Sequence, residues 1–275
     1  MRNVGQFVLA LVKRWVRADG FGLAASMSFY MLFSFAPLIV FVLMIAGSLL
    51  GEESARKAAA DWLDSFLARS EARSLIDMVR PEQFEKRSWV FATISGITLA
   101  WASTLIFVRL RISVNRLLGF RSSSMKQAVR HSLIGRAMAF LFTLISGIIF
   151  VAGILLTAMA PRIIPMVFPA LTNWAGIGVN VINAGVLFLA VGAIMRFLAV
   201  NPPSWRGILY GSLFVLVAFE LGRVLVNLYL ANSEIASAYG AASSLVVFLL
   251  WIYYSAQMLL CGVAVAGVVD GGEED

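Results

Sequence analysis

The stretch 207-GILYGSLFVLVAFELGRVLVNLYL-230 decides the architecture. It is long enough for the ~20 residues that carry a helix across a bilayer, and almost everything in it is apolar. The exceptions are Glu220, Arg223 and Asn227, spaced i, i+3 and i+7, which a helix gathers into one stripe. A charge in hydrocarbon costs a few kcal/mol or more, on the order of a failed helix insertion. The stripe is therefore expected to face a protein interior or a wet cavity, and to be either part of a pathway or a structural pair.

Working outward, the same segregation of charge recurs. The chain of 275 residues is 60% hydrophobic and only 13% charged, whereas soluble domains run near about a quarter charged. Gly20 to Gly51, Ser88 to Val108, Ala137 to Pro161, Ile163 to Met195 and Ile235 to Val269 hold no Asp, Glu, Lys or Arg. With the segment around Glu220 they predict six transmembrane helices, at about 27–50, 89–108, 137–160, 174–198, 207–230 and 241–266. These runs lack the alternation of a barrel strand, so the fold class is all-α, a single polytopic membrane domain over 1–275. Phe7 to Val12 is too short an apolar core for a cleavable signal peptide.

The segments between the spans carry their own patterns. Val4, Phe7, Val8, Leu11 and Trp15 recur at helical spacing opposite Lys13, Arg14 and Arg17, which predicts an interfacial amphipathic helix within 1–23. Residues 51–88 form an outer, periplasmic insertion, in which Trp62, Leu63, Phe66 and Leu67 share one face of a helix that stops before Pro81. Residues 109–136 read as a basic hairpin, with a turn at Gly119 and a capping box from Ser124 to Gln127.

Lys and Arg number thirteen on one side of the predicted spans and eight on the other, where eight acids match the seven in 51–88. That imbalance places both termini in the cytoplasm. The net charge of +7 then belongs to a cytoplasmic membrane face, and it points to anionic lipids as partners rather than nucleic acid. Arg109, Arg111 and Arg116 are the headgroup-binding candidates, with Arg109 and Arg111 expected at the inner interface as anchors.

Packing signals accompany these. Gly178, Gly185 and Gly192 repeat on the fourth span, and Gly207 with Gly211 opens the fifth in a small-xxx-small arrangement. Pro37 removes a hydrogen bond from the first span and is the expected helix bend, with Ser34 placed to help satisfy the freed groups. At ~1.5 Å per residue, Glu220 and Arg223 lie about 15 and 10 Å below Leu230, and Asn183 and Asn180 about 14 and 9 Å below Trp174. Glu220, Arg223, Asn227, Asn180 and Asn183 thus form a candidate polar cluster, joined in the same half of the bilayer by Ser95, Thr98, Ser243 and Ser244. It is either a chamber that handles substrate or a buried pair that fixes helix packing.

Ala24-Ala25-Ser26-Met27-Ser28-Phe29-Tyr30, followed by Ser34-Phe35-Ala36-Pro37-Leu38, resembles the first-span pattern of the YihY/BrkB membrane proteins. Tyr239-Gly240, Leu249-Leu250-Trp251-Ile252-Tyr253 and Leu259-Leu260-Cys261-Gly262 are similar to the last-span signature of that family. Arg109 to Gly119, with Asn115, and Trp205 to Tyr229 fit the blocks between, so the resemblance covers nearly the whole chain. It departs at Ala264, where the family often carries an acid, and any role of that carboxylate is not transferred.

The resemblance implies a bacterial inner-membrane protein with six spans, in a family formerly labelled ribonuclease BN and linked to virulence and serum resistance. The residues argue against a nuclease, and no enzyme is expected. There is one histidine, His131, in the basic hairpin, with no carboxylate cluster for two metals and no phosphate loop for ATP. Cys261 is the single cysteine, which excludes an internal disulfide and a cysteine-rich metal site. No metal or cofactor is expected. Two functions remain: a transporter or flippase-like protein for an anionic lipid or amphiphile, or a non-transporting scaffold or envelope-integrity factor. A homo-oligomer or an envelope protein is a further possible partner.

Overall fold

A computed structural model of the chain describes residues 4–64, 98, 105–120, 175–232 and 243–271. Every regular element among them is an α-helix: α1 (Val4–Ala18), α2 (Gly20–Leu50), α3 (Glu52–Asp64), α4 (105–117), α5 (Ala175–Leu198), α6 (Trp205–Asn232) and α7 (Ser243–Val269). Trp205–Leu225 and Leu245–Val269 are each long and apolar enough to cross a membrane, and Gly20–Phe35 and Ala184–Leu198 are shorter apolar stretches of the same kind. Leu213, Val217 and Leu221 of the first and Leu245, Leu249 and Leu250 of the second are exposed. An apolar exterior of that extent fits lipid and not water. The expected spans 89–108 and 137–160 lie largely or wholly outside the described residues.

Two sharp corners set the helices on their courses. Asp19 adopts the left-handed conformation, with φ 57°, and its side chain accepts a hydrogen bond from the Gly22 backbone N–H at 3.3 Å. Aspartate tolerates that conformation better than most residues. The corner separates α1 from α2 within one residue, so the first span begins at Gly20, several residues before the point that hydropathy marks. Gly20 is required there because a Cβ would strike the ring of Trp15, which folds back over the corner. At the other end of α2, Gly51 with φ 84° turns the chain directly into α3. In between, α2 runs unbroken through Pro37, and Ser34 Oγ donates to the Met31 carbonyl at 2.9 Å. The carbonyl that Pro37 frees belongs to Phe33, so Ser34 does not serve it as expected.

α7 is the spine of the bundle. It makes its most extensive contact with α6 and the next with α2, and α1 also rests against it. From Gly262 to Val268 it is buried all round, which explains its run of Gly, Ala and Val. The crossing with α6 is as close as backbones allow: a Cβ on Gly211 would stand 2.5 Å from the Gly262 carbonyl oxygen, and one on Gly207 2.9 Å from that of Ala266. Small residues at this seam replace the hydrophobic effect, which lipid does not supply, with close packing. The expected glycine repeat on α5 contributes less. Gly192 meets Ile208 and Ser212, Gly185 has open space around it, and the surroundings of Gly178 lie outside the described residues.

Two apolar clusters fill the interior. One, at the end of the bundle where α1 lies, includes Trp15, Met27, Val114, Leu117, Met195 and Leu260. The other, at the α3 end, joins Leu43 of α2 and Ala55 and Ala59 of α3 to Val247, Phe248 and Trp251 of α7. Thus the first turns of the expected outer helix cap the bundle through alanines. Its expected face from Trp62 to Leu67 lies outside the described residues.

α1 carries three faces rather than two. Trp15 and Ala18 are buried, and Leu11 packs partly beside them against the bundle. Val4, Val8, Leu9, Val12 and Val16 form an apolar strip that touches no core. Gln6, Lys13 and Arg17 are exposed on the remaining side. The stripe predicted from Val4 to Trp15 is therefore divided, part against protein and part exposed.

Candidate functional site

Glu220 and Arg223 meet as predicted, Arg223 Nη2 lying 2.8 Å from Glu220 Oε2 on successive turns of α6. The pair is formed but not enclosed, for the Glu220 side chain is 50% exposed and that of Arg223 36%. The cause is the seam with α7. Gly211, Val215 and Gly222 commit one side of α6 to that contact, and Glu220 falls on the far side with Leu213, Val217, Leu221 and Val224. α6 extends about 42 Å, so Glu220 sits close to its middle, deep within the span. The chemistry on offer is a dipolar, hydrogen-bonding patch on an apolar flank. Asn227, Asn180 and Asn183 lie on helices α6 and α5, but their side chains are outside the described residues, as are those of Ser95, Ser243 and Ser244.

The three arginine candidates share α4. The helix runs through Arg109 to 117 and closes at Gly119, with φ 87°, where a turn was expected. Phe120 N–H donates to the Asn115 carbonyl and Gly119 N–H to that of Arg116, the paired bonds of a Schellman cap. Arg109 is therefore about 13 Å short of Leu118 along the axis, not at the helix end. Its guanidinium stands over the Tyr30 ring of α2, 5.5 Å from the centroid. Arg116 is exposed and Arg111 half-buried, one at the helix end and the other between.

The α1 end of the bundle also holds a polar clasp that the sequence reading did not assign. Asn115 Nδ2 donates to the Leu198 carbonyl at 2.9 Å and to that of Arg111 at 2.7 Å, while its Oδ1 accepts from Val200 N–H at 2.7 Å. One amide thereby satisfies the loose end of α5. Asp270, just past α7, accepts from both the backbone N–H and the hydroxyl of Ser204, and the Ser204 hydroxyl in turn accepts from Gly207 N–H at 3.1 Å to cap α6. Arg14 of α1 and Leu118 of α4 both lie against Gly267. Ser204 followed by a long apolar run is a recognisable N-cap signal in the sequence. The partners of Asn115 and Asp270 have none, being 83 and 66 residues away. Nearby, Arg196 lies over the exposed ring of Trp205 at 5.2 Å, a cation and an aromatic of the kind found at membrane interfaces.

Among the described residues no group of three His, Cys, Asp or Glu side chains is placed to hold a metal ion. Ala264, at the position of the absent acid, is fully buried in the apolar core.

Residues 11–274 match the family described as virulence factor BrkB. The chain is 24% identical over 267 residues to a UPF0761 membrane protein of Psychrobacter sp. (strain PRwf-1), covering 94% of this chain and 47% of that protein. It is 24% identical to a UPF0761 membrane protein of Methylibium petroleiphilum, over 67% of this chain and 43% of the relative. It is also 20% identical to the ribonuclease-like protein YfkH of Bacillus subtilis (strain 168), covering 93% of this chain and 92% of YfkH. The chain thus spans about half the length of the first two relatives. No solved structure matches it.

Proposed function

The chain belongs to the virulence factor BrkB family of membrane proteins, and on that premise we propose that it is a transporter or flippase-like protein for an anionic lipid or similar amphiphile. The observation that carries the reading is the Glu220–Arg223 pair, deep in a span yet open sideways. A substrate that keeps its tail in lipid while its headgroup crosses needs polar contacts reachable from the bilayer, and an enclosed site would exclude the tail. A bonded acid and guanidinium can exchange their mutual hydrogen bonds for bonds to a phosphate and its neighbouring groups, so the passing headgroup need not be stripped of all partners. The asparagines of α5 and α6 would extend this polar track.

The basic α1 end is read as the cytoplasmic side of a bacterial inner membrane, with both termini inside, which would collect anionic headgroups at the start of the track. The reading assigns no hydrolysis and no cofactor, and the ribonuclease-like name remains that of YfkH.

The test is reconstitution of the full chain in vesicles carrying a fluorescent anionic lipid, with leaflet exchange followed by a membrane-impermeant quencher. Exchange above protein-free vesicles is expected, with loss in Glu220→Ala, in Arg223→Ala and in the double Glu220→Gln, Arg223→Met. A structural pair behaves differently: the singles fold poorly while the double recovers both folding and exchange. That recovery, or exchange no faster than in empty vesicles, would favour the scaffold or envelope-integrity role instead.

A further inference from the structure

We propose that Arg109, backed by Tyr30, forms a binding site for one anionic phospholipid of the leaflet on the α1 side, in the groove between α2 and α4. The site would supply substrate to the track described above, but its occupancy does not depend on transport.

Two helix lengths locate the site along the bundle. Tyr30 lies 11 residues beyond the Asp19 corner, about 16 Å along α2, and Arg109 about 13 Å from Leu118 along α4. The two residues touch, as those depths require. α6 and α7 extend about 42 and 40 Å around a hydrocarbon layer of about 30 Å, so the last ~5 Å at each end stands among headgroups. By those lengths the contact lies about 8–11 Å below the acyl boundary of a leaflet about 15 Å deep, so a headgroup has to be drawn inward to meet it.

Among the described residues no carboxylate pairs with Arg109, which stands against the Tyr30 ring. A cation over an aromatic face offsets only part of the cost of leaving water. The side chain is exposed, and it shares its helix face with Val108 and Ile112, both directed outward. Phe29 and Phe33, also exposed, lie beside Tyr30 in mutual ring contact. The flank therefore presents lipid with a fixed cation set against an aromatic, acyl-compatible surface.

Arg116 completes the approach. It stands seven residues further along the same face, about 10 Å nearer the headgroup layer, and is exposed. A phosphate attracted by Arg116 descends along that face to Arg109, where a guanidinium fork takes two of its oxygens. Arg109 is exposed on a flank shared with exposed Val108 and Ile112, so the anion that complements it is that of a membrane phospholipid rather than a soluble metabolite.

The experiment uses the full chain in nanodiscs of phosphatidylcholine with a minor fraction of phosphatidylglycerol, released into a mass spectrometer under conditions that keep bound lipid. The wild type is expected to retain one phosphatidylglycerol in preference to phosphatidylcholine. Arg109→Gln should lower that preference about tenfold, the equivalent of one lost charge-assisted contact. Arg109→Lys should lower it less, Tyr30→Phe should leave it nearly intact, and Tyr30→Leu should weaken it. Unchanged preference in Arg109→Gln, or equal loss of both lipids, overturns the site. Should Arg109→Gln fail to fold, Arg109→Lys and Tyr30→Leu decide the matter by the same readout. Preference in the wild type, together with wild-type leaflet exchange no faster than in empty vesicles, would sink the transport reading while leaving this site standing.

Discussion

Replacing Asn115 with alanine removes three hydrogen bonds, but their losses are unequal. The Arg111 carbonyl stands within continuous helix, so it keeps a main-chain partner and loses little. The Leu198 carbonyl, at the end of α5, belongs to a residue 2% exposed and is left without a donor. An orphaned buried acceptor costs about 1–3 kcal/mol. Val200 N–H loses its acceptor as well, but Val200 is 44% exposed and solvent can replace much of that bond, so its share is about 0.5–1 kcal/mol. The expected destabilisation of Asn115→Ala is therefore about 1.5–4 kcal/mol, a large part of a typical folding free energy. Asn115→Asp should do no better, because it keeps the acceptor for Val200 but sets an oxygen against the Leu198 carbonyl. Equilibrium unfolding in mixed micelles, followed by far-ultraviolet circular dichroism, measures the difference. A change below about 0.5 kcal/mol for alanine would refute the clasp, since it would mean those groups find other partners in the native state.

Two further outcomes follow from the packing. Gly211→Ala should destabilise the chain or block its folding, because the added methyl meets the Gly262 carbonyl at 2.5 Å, whereas Gly185→Ala, with nothing within 4 Å, should be neutral or slightly stabilising; the same unfolding assay compares them, and equal effects would contradict the α6–α7 seam. For α1, single cysteines in a Cys261→Ala background test the three faces: a membrane-impermeant maleimide should label Lys13→Cys and Arg17→Cys quickly and Val8→Cys and Val12→Cys slowly in lipid, and equally fast labelling at all four would place the helix in water instead.

Charge placement alone made the helical, membrane-embedded class legible, because the cost of a charge or an unpaired peptide group in hydrocarbon admits few alternatives. The same logic located α1, and the small-residue spacing of Gly207 and Gly211 marked a real crossing. Periodicity was silent where two apolar surroundings compete. It united Val4, Val8 and Trp15 in one stripe, although Trp15 packs on protein and Val4 and Val8 do not. Charge cost left Glu220 facing either protein or a wet cavity; in the structure its side chain is half exposed, because α6 gives the opposite side to glycines that a closer backbone contact demands. The turn at Gly119 was legible, and the structure shows it closing α4 with a Schellman cap two turns or more beyond Arg109.

The amino-acid order by itself determined that this chain makes helices, that it belongs in a membrane, and that an acid and a base would share one turn of α6. Only the tertiary structure decided which side of each helix meets protein, how Asn115 and Asp270 tie ends together across most of a hundred residues, and that the ion pair opens outward. The physical reason is that acyl chains and a protein core are equally apolar, so hydropathy separates water from both but not one from the other. Backbone proximity and long-range hydrogen bonds make that distinction, and they exist only once the helices are packed.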